Sequence, residues 1–225
     1  MRQIENFIAG EFVGAASGKR FDKRSPVDNS VICSISEAGR GEVDAAVSAA
    51  RNALQGEWGG LTTDQRIELL YGVANEITRR FDDFVEAEMS DTGQPEHVMK
   101  HVFIPRGAAN FKVFADVIKN VASESFQMDT PDGRGAFNYS IRRPKGVIGV
   151  VCPWNAPFML MTWKVGPALA CGNTVVVKPS EESPQTAALL GEVMSAVGIP
   201  KGVYNVVNGF GPNSAGEFVD RKSVV

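Results

Sequence analysis

Four short loops concentrate the polar and charged side chains from which a reaction could be built. In Cys152-Pro-Trp-Asn155, Pro153 and Pro157 bracket the asparagine and stiffen the backbone around it, so the Asn155 amide is held in one direction. A fixed amide aimed at a developing oxyanion is worth roughly 3–4 kcal/mol of barrier. The same bracket is also a rigid turn whose Asn satisfies local backbone. Lys178-Pro-Ser180-Glu181 places a cation and a carboxylate three residues apart, where each could hydrogen-bond a ribose hydroxyl. Read alone, it is equally a solvated loop with a helix-start Glu. Gly209-Phe-Gly211-Pro-Asn-Ser-Ala-Gly216 is a glycine-rich loop running into a helical start, whose backbone N–H groups favour a phosphate. It is not a GxGxxG fingerprint, because its third glycine comes five residues after the second. Arg106, in Ile104-Pro-Arg-Gly107, suits bidentate capture of a carboxylate, or else is a salt-bridged surface arginine.

Other chemistries find no motif. There is no GxSxG elbow, no GxxxxGK[ST] phosphate loop, and no tyrosine followed four residues later by lysine. His97 and His101 are spaced to share a helix face, yet no third ligand is sensibly spaced and the pattern is not HExxH, so no metal is expected. Cys33, Cys152 and Cys171 form no CxxC pair, which suits a reducing compartment. Cys33 and Cys171 read as core or turn residues. Cys152 would face the site on the loop before Pro153, with nucleophilic attack as its lesser reading.

The scaffold under these loops is read from composition and patterning. The chain has 225 residues, 44% hydrophobic and 22% charged, which excludes disorder, collagen and coiled coil and allows one large or two small domains. A net charge of −3 advertises neither nucleic acid nor an anionic membrane as partner. The first ten residues hold no apolar signal core. The uncharged run Gly146–Trp163 is broken by Pro153, Asn155 and Pro157, so a cytoplasmic protein without a membrane span is expected. Residues 1–36 read as small strands and turns. Val43, Ala46, Val47, Ala50 and Leu54 share one helix face, as do Ile67, Leu70, Tyr71, Ala74, Ile77 and Phe81. A third helix covers about Asp83–Asp91 and ends near Gly93; a fourth carries Phe111 and Phe114. Turns surround Phe126–Asn138, and Ala136–Arg142 alternates like a strand.

From Lys145 the texture changes. Gly146–Val151 reads as a strand buried on both faces, then a helix over Pro157–Ala170, a strand over Asn173–Val177, a helix through Val197 and a strand over Val203–Val207. Ser183 is expected as N-cap with Pro184 at the first helical position, and Gly198 as the stop. This β-α-β-α-β run predicts an α/β, Rossmann-like parallel sheet with right-handed crossovers, preceded by a helical region and a β arm. In such sheets ligands bind in the loops after the strands. Three parallel strands alone would leave an unpaired apolar edge and marginal stability.

Taken together, Pro153-Trp-Asn155, the run Gly166-Pro-Ala-Leu-Ala-Cys-Gly-Asn-Thr-Val-Val-Val-Lys-Pro-Ser-Glu181 and Asn205-Val-Val-Asn-Gly-Phe-Gly211 resemble the NAD-dependent aldehyde dehydrogenase superfamily. The resemblance covers essentially the whole chain from Asn6 onward. It implies oxidation of a small-molecule aldehyde to the acid with NAD, through a thiohemiacetal and a thioester. Asn155 then corresponds to the oxyanion-hole amide. Lys178, Ser180 and Glu181 correspond to the adenine-ribose loop, Val151, Cys152, Pro153 and Trp154 to the cofactor cleft, and Gly211 and Gly216 to positions near adenosine and pyrophosphate. Glu181 would repel a 2′-phosphate, favouring NAD over NADP. The implied division is residues 1–122 as the helical part of the cofactor domain, 123–143 as an oligomerisation arm of a dimer or tetramer, and 144–225 as the first half of the cofactor fold.

Ala156 and Met159-Leu-Met-Thr-Trp-Lys-Val-Gly-Pro are most similar to the 2-hydroxymuconic and 2-aminomuconic semialdehyde dehydrogenases of aromatic ring cleavage. Such substrates carry a carboxylate for Arg106 to meet, and Trp163 would line their tunnel. A betaine-aldehyde-type substrate is an alternative. The family's Gly-Gln-x-Cys and Glu-Leu-Gly-Gly segments do not occur, and Asp220–Val225 departs from its pattern. The expectation is therefore an N-terminal part, without the catalytic domain and inactive alone, or else a truncated non-catalytic chain.

Overall fold

The computed structural model describes residues 2–211 and 214–216. In chain order the elements are β1 (Arg2–Ile4), β2 (Asn6–Ile8), β3 (Glu11–Val13), β4 (Arg20–Arg24), β5 (Val31–Ser36), α1 (Arg40–Gln55), α2 (Glu57–Gly60), α3 (Thr63–Arg79), α4 (Phe81–Thr92) and α5 (Glu96–Val98). A π-helical turn, Met99–Phe103, leads into α6 (Ile104–Lys119). Next come β6 (Ser125–Met128), β7 (Ala136–Tyr139), β8 (Val147–Val151), α7 (Pro157–Ala170), β9 (Thr174–Lys178), α8 (Gln185–Val197) and β10 (Tyr204–Val206).

The expected β-α-β-α-β unit is present. β8, β9 and β10 are parallel, with Val151 opposite Lys178 and Val206 opposite Val177. β9 is the middle of the three and all its residues are buried. Its side chains alternate faces: Val175 and Val177 pack toward α3, α7 and α8, and Val176 packs toward α1. Helices thus cover both faces, as a sheet with this Val-rich central strand demands.

Two expectations about the sheet are corrected. It has five strands rather than three, in the order β3-β2-β10-β9-β8. The N-terminal hairpin β2–β3 pairs antiparallel with β10 and closes that edge, and Asn6 Oδ1 accepts from Asn208 N at 2.8 Å where the ladder ends. The sequence shows β2 and β10 some 200 residues apart, so no local pattern announces their pairing. Second, β8 is not buried on both faces. Val147 and Val150 are buried, but Ile148 and Gly149 are half-buried and Val151 is exposed, because β8 is an outer strand whose pairing among the described residues is with β9.

β1, β5 and β4 form a separate small sheet, and β6–β7 is a two-stranded hairpin standing apart from both. The helices fall close to where periodicity put them, except that Phe81, expected on the face of Ile67–Ile77, lies beyond the end of α3 at Arg79 and opens α4, which Gly93 closes in the left-handed region at φ +67°. The unforeseen α2 exists to seat Trp58, whose fully buried indole donates to the carbonyls of Gly172 and Asn173, both at 3.0 Å, tying the chain to the turn before β9.

The start of α8 is also a correction. Pro184 occupies the N-cap position itself, and the buried Ser183 hydroxyl makes no hydrogen bond. The cap comes from another helix: Asp91 Oδ2 accepts from Gln185 N at 2.9 Å. A tertiary carboxylate has displaced the local hydroxyl at the orphan N–H group.

Candidate functional site

Three of the four segments singled out from sequence gather at the carboxyl ends of β8, β9 and β10, the side where open parallel sheets bind ligands, whereas the fourth, Ile104–Gly107, is not a loop but the first turn of α6. After β8, Cys152 N donates to Lys178 O at 3.0 Å, continuing the ladder one step, and the chain then leaves the sheet. Trp154 and Asn155 stand exposed, while Ala156, Pro157 and Phe158 are buried again at the head of α7. Pro157 begins that helix, where its missing N–H costs nothing. The exposed Asn155 is thus held between a strand end and a helix start, and its main-chain carbonyl accepts from Gln94 Nε2 at 2.7 Å.

After β9 the chain stays inside. Lys178 is 7% exposed, and its Nζ donates to Pro179 O and Gly209 O, each at 2.8 Å, with Glu181 Oε2 at 3.6 Å. Burial pulls the Lys178 ammonium pKa below its ordinary value, against the opposing pull of Glu181. Lys178 therefore bolts the β9 loop to the β10 loop, a role not evident from the spacing. Ser180 is buried and accepts from Glu182 N at 3.2 Å, and the Glu181 side chain remains more than a third exposed.

After β10, Gly216 N donates to Phe210 O at 3.0 Å, and a Cβ on Gly216 would collide with the carbonyl of Gly211. Backbone therefore approaches backbone there with no side chain between. Ser214 Oγ anchors the loop on Ala38 O at 3.1 Å. The helical start expected beyond it is present at Ala215–Gly216, and its continuation, residues 217–225, lies outside the described residues.

Arg106 and Trp163 are brought together on the α6–α7 face, the guanidinium carbon 5.8 Å from the indole centroid. Asn110 Nδ2 fixes that pair of helices by donating to Met159 O at 3.2 Å and Thr162 Oγ1 at 3.0 Å. Cys152 faces inward rather than toward solvent. It is 5% exposed, and burial pushes its thiol pKa up to about 12. Cys33 is likewise buried and raised to about 12, and Cys171 is exposed at the far end of α7 from Asn155. No group of three His, Cys, Asp or Glu among the described residues is arranged to hold a metal ion. No helix there is long and apolar enough to cross a membrane.

Residues on α4 went unnoticed in the sequence. Its buried face consists of Phe84, Val85, Ala87, Glu88 and Asp91, so two carboxylates sit on the apolar stripe. Glu88 Oε1 accepts from Phe158 N at 3.1 Å, at the head of α7. Burial, with Asp91 adding and the Phe158 N–H opposing, moves its pKa up to about 8. Burial likewise raises Asp91 to about 7, against its bonds from Gln185. The available signal was the acid spacing i, i+3 on the same stripe as Phe84.

The model of the "Aldehyde dehydrogenase family" matches residues 12–225. The chain is 65% identical over 219 residues to 2-hydroxymuconic semialdehyde dehydrogenase of Pseudomonas sp. (strain CF600), covering 97% of this chain and 45% of that protein. It is 54% identical over 221 residues to 2-aminomuconic 6-semialdehyde dehydrogenase of Pseudomonas sp., covering 98% and 45%. The chain thus spans less than half the length of these relatives. Among solved structures, the NAD+ complex of the Bacillus cereus aldehyde dehydrogenase superposes with a TM-score of 0.94 at 33% identity, over 99% of this chain and 45% of that one. With the β8–β10 loops arranged as described, the chain belongs to the aldehyde dehydrogenase family.

Proposed function

We propose that this chain supplies the cofactor-binding loops and the oxyanion donor of a dehydrogenase that oxidises a carboxylate-bearing semialdehyde, of the 2-hydroxymuconic type, to its acid with NAD. The observation that carries the reading is the exposed Asn155, held between β8 and α7 beside a buried lysine loop at the same sheet end. The names of the relatives at 65% and 54% identity support the substrate class.

The residues present fit NAD. The close packing of Gly216 on Gly211 keeps side chains out of the β10 loop and so leaves its surface open to a pyrophosphate, although Gly216 N itself is used by Phe210 O. Glu181 keeps an exposed carboxylate, able to accept from ribose hydroxyls, next to a buried ammonium at 3.6 Å. Val151 and Trp154 offer exposed apolar surface and Pro153 a half-buried one, over the buried Cys152. When bound, NAD supplies the hydride acceptor. Asn155 donates its side-chain N–H to the aldehyde oxygen as negative charge develops there. The attacking thiolate, and the thiohemiacetal and thioester it forms, come from outside this chain's three cysteines. Cys33 and Cys152 are buried thiols with raised pKa, and Cys171 sits at the wrong end of α7. Arg106, stacked on Trp163, meets the substrate carboxylate. The β6–β7 hairpin exposes Phe126, Met128, Phe137 and Tyr139 and is assigned to subunit contact in the oligomer.

Binding is testable on the chain itself. Calorimetry is expected to show NAD preferred over NADP, with the preference lost in Glu181→Gln. Equal affinity of the unaltered chain for both cofactors would remove Glu181 from the reading. In a polypeptide of the relatives' full length carrying this chain, Asn155→Ala is expected to lower kcat for the semialdehyde about 10²–10³-fold.

A further inference from the structure

The start of α7 is gripped at two points, by the last turns of α4 and by Gln94 just beyond its end. Gln94 Nε2 holds Asn155 O at 2.7 Å, and Glu88 Oε1 holds Phe158 N at 3.1 Å, so the four residues 155–158 lie between two anchors. Both anchors are themselves fixed. Glu88 is fully buried, and its ring neighbours Phe84 and Phe158 stack 4.7 Å apart. Thr92 Oγ1 donates to Glu88 O at 2.7 Å and accepts from Gln94 N at 3.3 Å, joining the two anchors through one hydroxyl. Gly93 closes the helix at φ +67°, donating to Met89 O at 2.8 Å, and a Cβ there would stand 2.8 Å from Pro26 Cγ. The turn that carries Gln94 out to Asn155 therefore admits glycine alone.

We propose that Glu88 and Gln94 are positioning residues for Asn155: they clamp residues 155–158 against α4 and so set the direction of the Asn155 amide. The inference rests on the reading of Asn155 as oxyanion donor. Neither residue touches the reacting atoms. Their effect is on the backbone that carries the donor, and a displacement of an ångström there is enough to cost catalysis. Asp91, one turn along the same helix, grips Gln185 N at 2.9 Å and Gln185 Nε2 at 2.8 Å at the head of α8 instead, and so provides an internal control on the other loop.

The test has two arms. On the 225-residue chain, hydrogen exchange of the backbone amides of 155–160 is followed in Gln94→Ala, Glu88→Ala, Glu88→Gln and Asp91→Ala. Gln94→Ala and Glu88→Ala are expected to speed that exchange about three- to tenfold, the range of one net hydrogen bond. Glu88→Gln, which keeps an acceptor, leaves it near the unaltered rate, and Asp91→Ala speeds 185–189 instead. Gln94 is partly exposed, so its variant keeps the test valid if Glu88→Ala does not fold. Unchanged exchange in Gln94→Ala would overturn the clamp. In the full-length polypeptide, Gln94→Ala and Glu88→Ala are expected to lower kcat about tenfold with KM for NAD unchanged, and Glu88→Gln to restore it. If Asn155→Ala lowers kcat but Gln94→Ala does not, the positioning role is overturned while the oxyanion donor stands. If Asn155→Ala leaves kcat unchanged, it is the donor reading that fails, and the exchange arm decides the clamp by itself.

Discussion

The two strand-to-helix loops of the parallel unit have the same topology and opposite character. The β8–α7 loop presents Val151, Trp154 and Asn155 to solvent, whereas the β9–α8 loop buries Lys178, Pro179, Ser180, Ser183 and Pro184. The difference arises from position in the sheet. β9 is flanked by β8 and β10, so its loop lies under that of β10, to which Lys178 is bonded. β8 is an outer strand, and its loop turns back where Glu88 of α4, and Gln94 just after that helix, reach it. An inner loop is held by its neighbours, and an outer one needs a strut. One helix supplies the strut and also caps the inner helix, through Glu88 and Asp91 respectively.

This contrast is open to mutation. The largest effect is expected where the outer loop re-enters the core: Phe158→Ala should cost about 3–5 kcal/mol in chemical denaturation, because the ring is fully buried against Phe84. Lys178→Ala should cost about 1–3 kcal/mol, since it strips the donor from two buried carbonyls, Pro179 O and Gly209 O. A loss below about half a kcal/mol there would mean that the inner loop does not depend on its bolt.

The struts give a pH signature. Glu88 and Asp91 have folded pKa values of about 8 and about 7, above the ordinary 4.5 and 3.8. Where pH lies between the ordinary and the folded value, the folded state binds a proton that the unfolded chain has released. Stability is therefore greatest at the acid end of this window and falls as pH rises toward 8, by at most about 1.4 kcal/mol per pH unit for each group. Asp91 faces Lys23 and Arg2, whose positive charges oppose its shift, and the buried Cys33 thiol, while the charged group facing Glu88 is Asp91. Glu88→Gln should flatten the upper part of the slope in urea midpoints measured across this range. An unchanged slope would assign it elsewhere. The smallest effect is expected at Trp154, 65% exposed on the outer loop, where Trp154→Ala should move stability by no more than about 0.5 kcal/mol.

Much of this was legible in the residues. The Val-rich run of β9, the amphipathic stripes of α1 and α3, and Gly93 and Gly198 as helix stops each act through neighbours a few positions away, so local pattern suffices. The loops carrying Asn155, Lys178 and Gly216 were found for the same reason, because strand ends mark them. Ser183 shows the limit. Its position satisfied the local rule for an N-cap, yet Asp91, 94 residues distant from Gln185, holds the N–H group instead. Cys152 shows it again: its place beside the site was readable, but its inward direction and depth were not.

The order of the parallel β-α-β-α-β unit, the identity of the loop residues and the family resemblance were all present in the linear chain, since each depends on short-range periodicity or on contiguous motifs. Folding in three dimensions was needed to bring β2 to the β10 edge, to let Lys178 tie two loops together, to stack Arg106 on Trp163, and to carry Glu88, Asp91 and Gln94 across to the heads of α7 and α8. Those are contacts between residues dozens to hundreds of positions apart. Their partners are chosen by which surfaces the packed layers bring within hydrogen-bond reach, and a linear pattern carries no record of that distance.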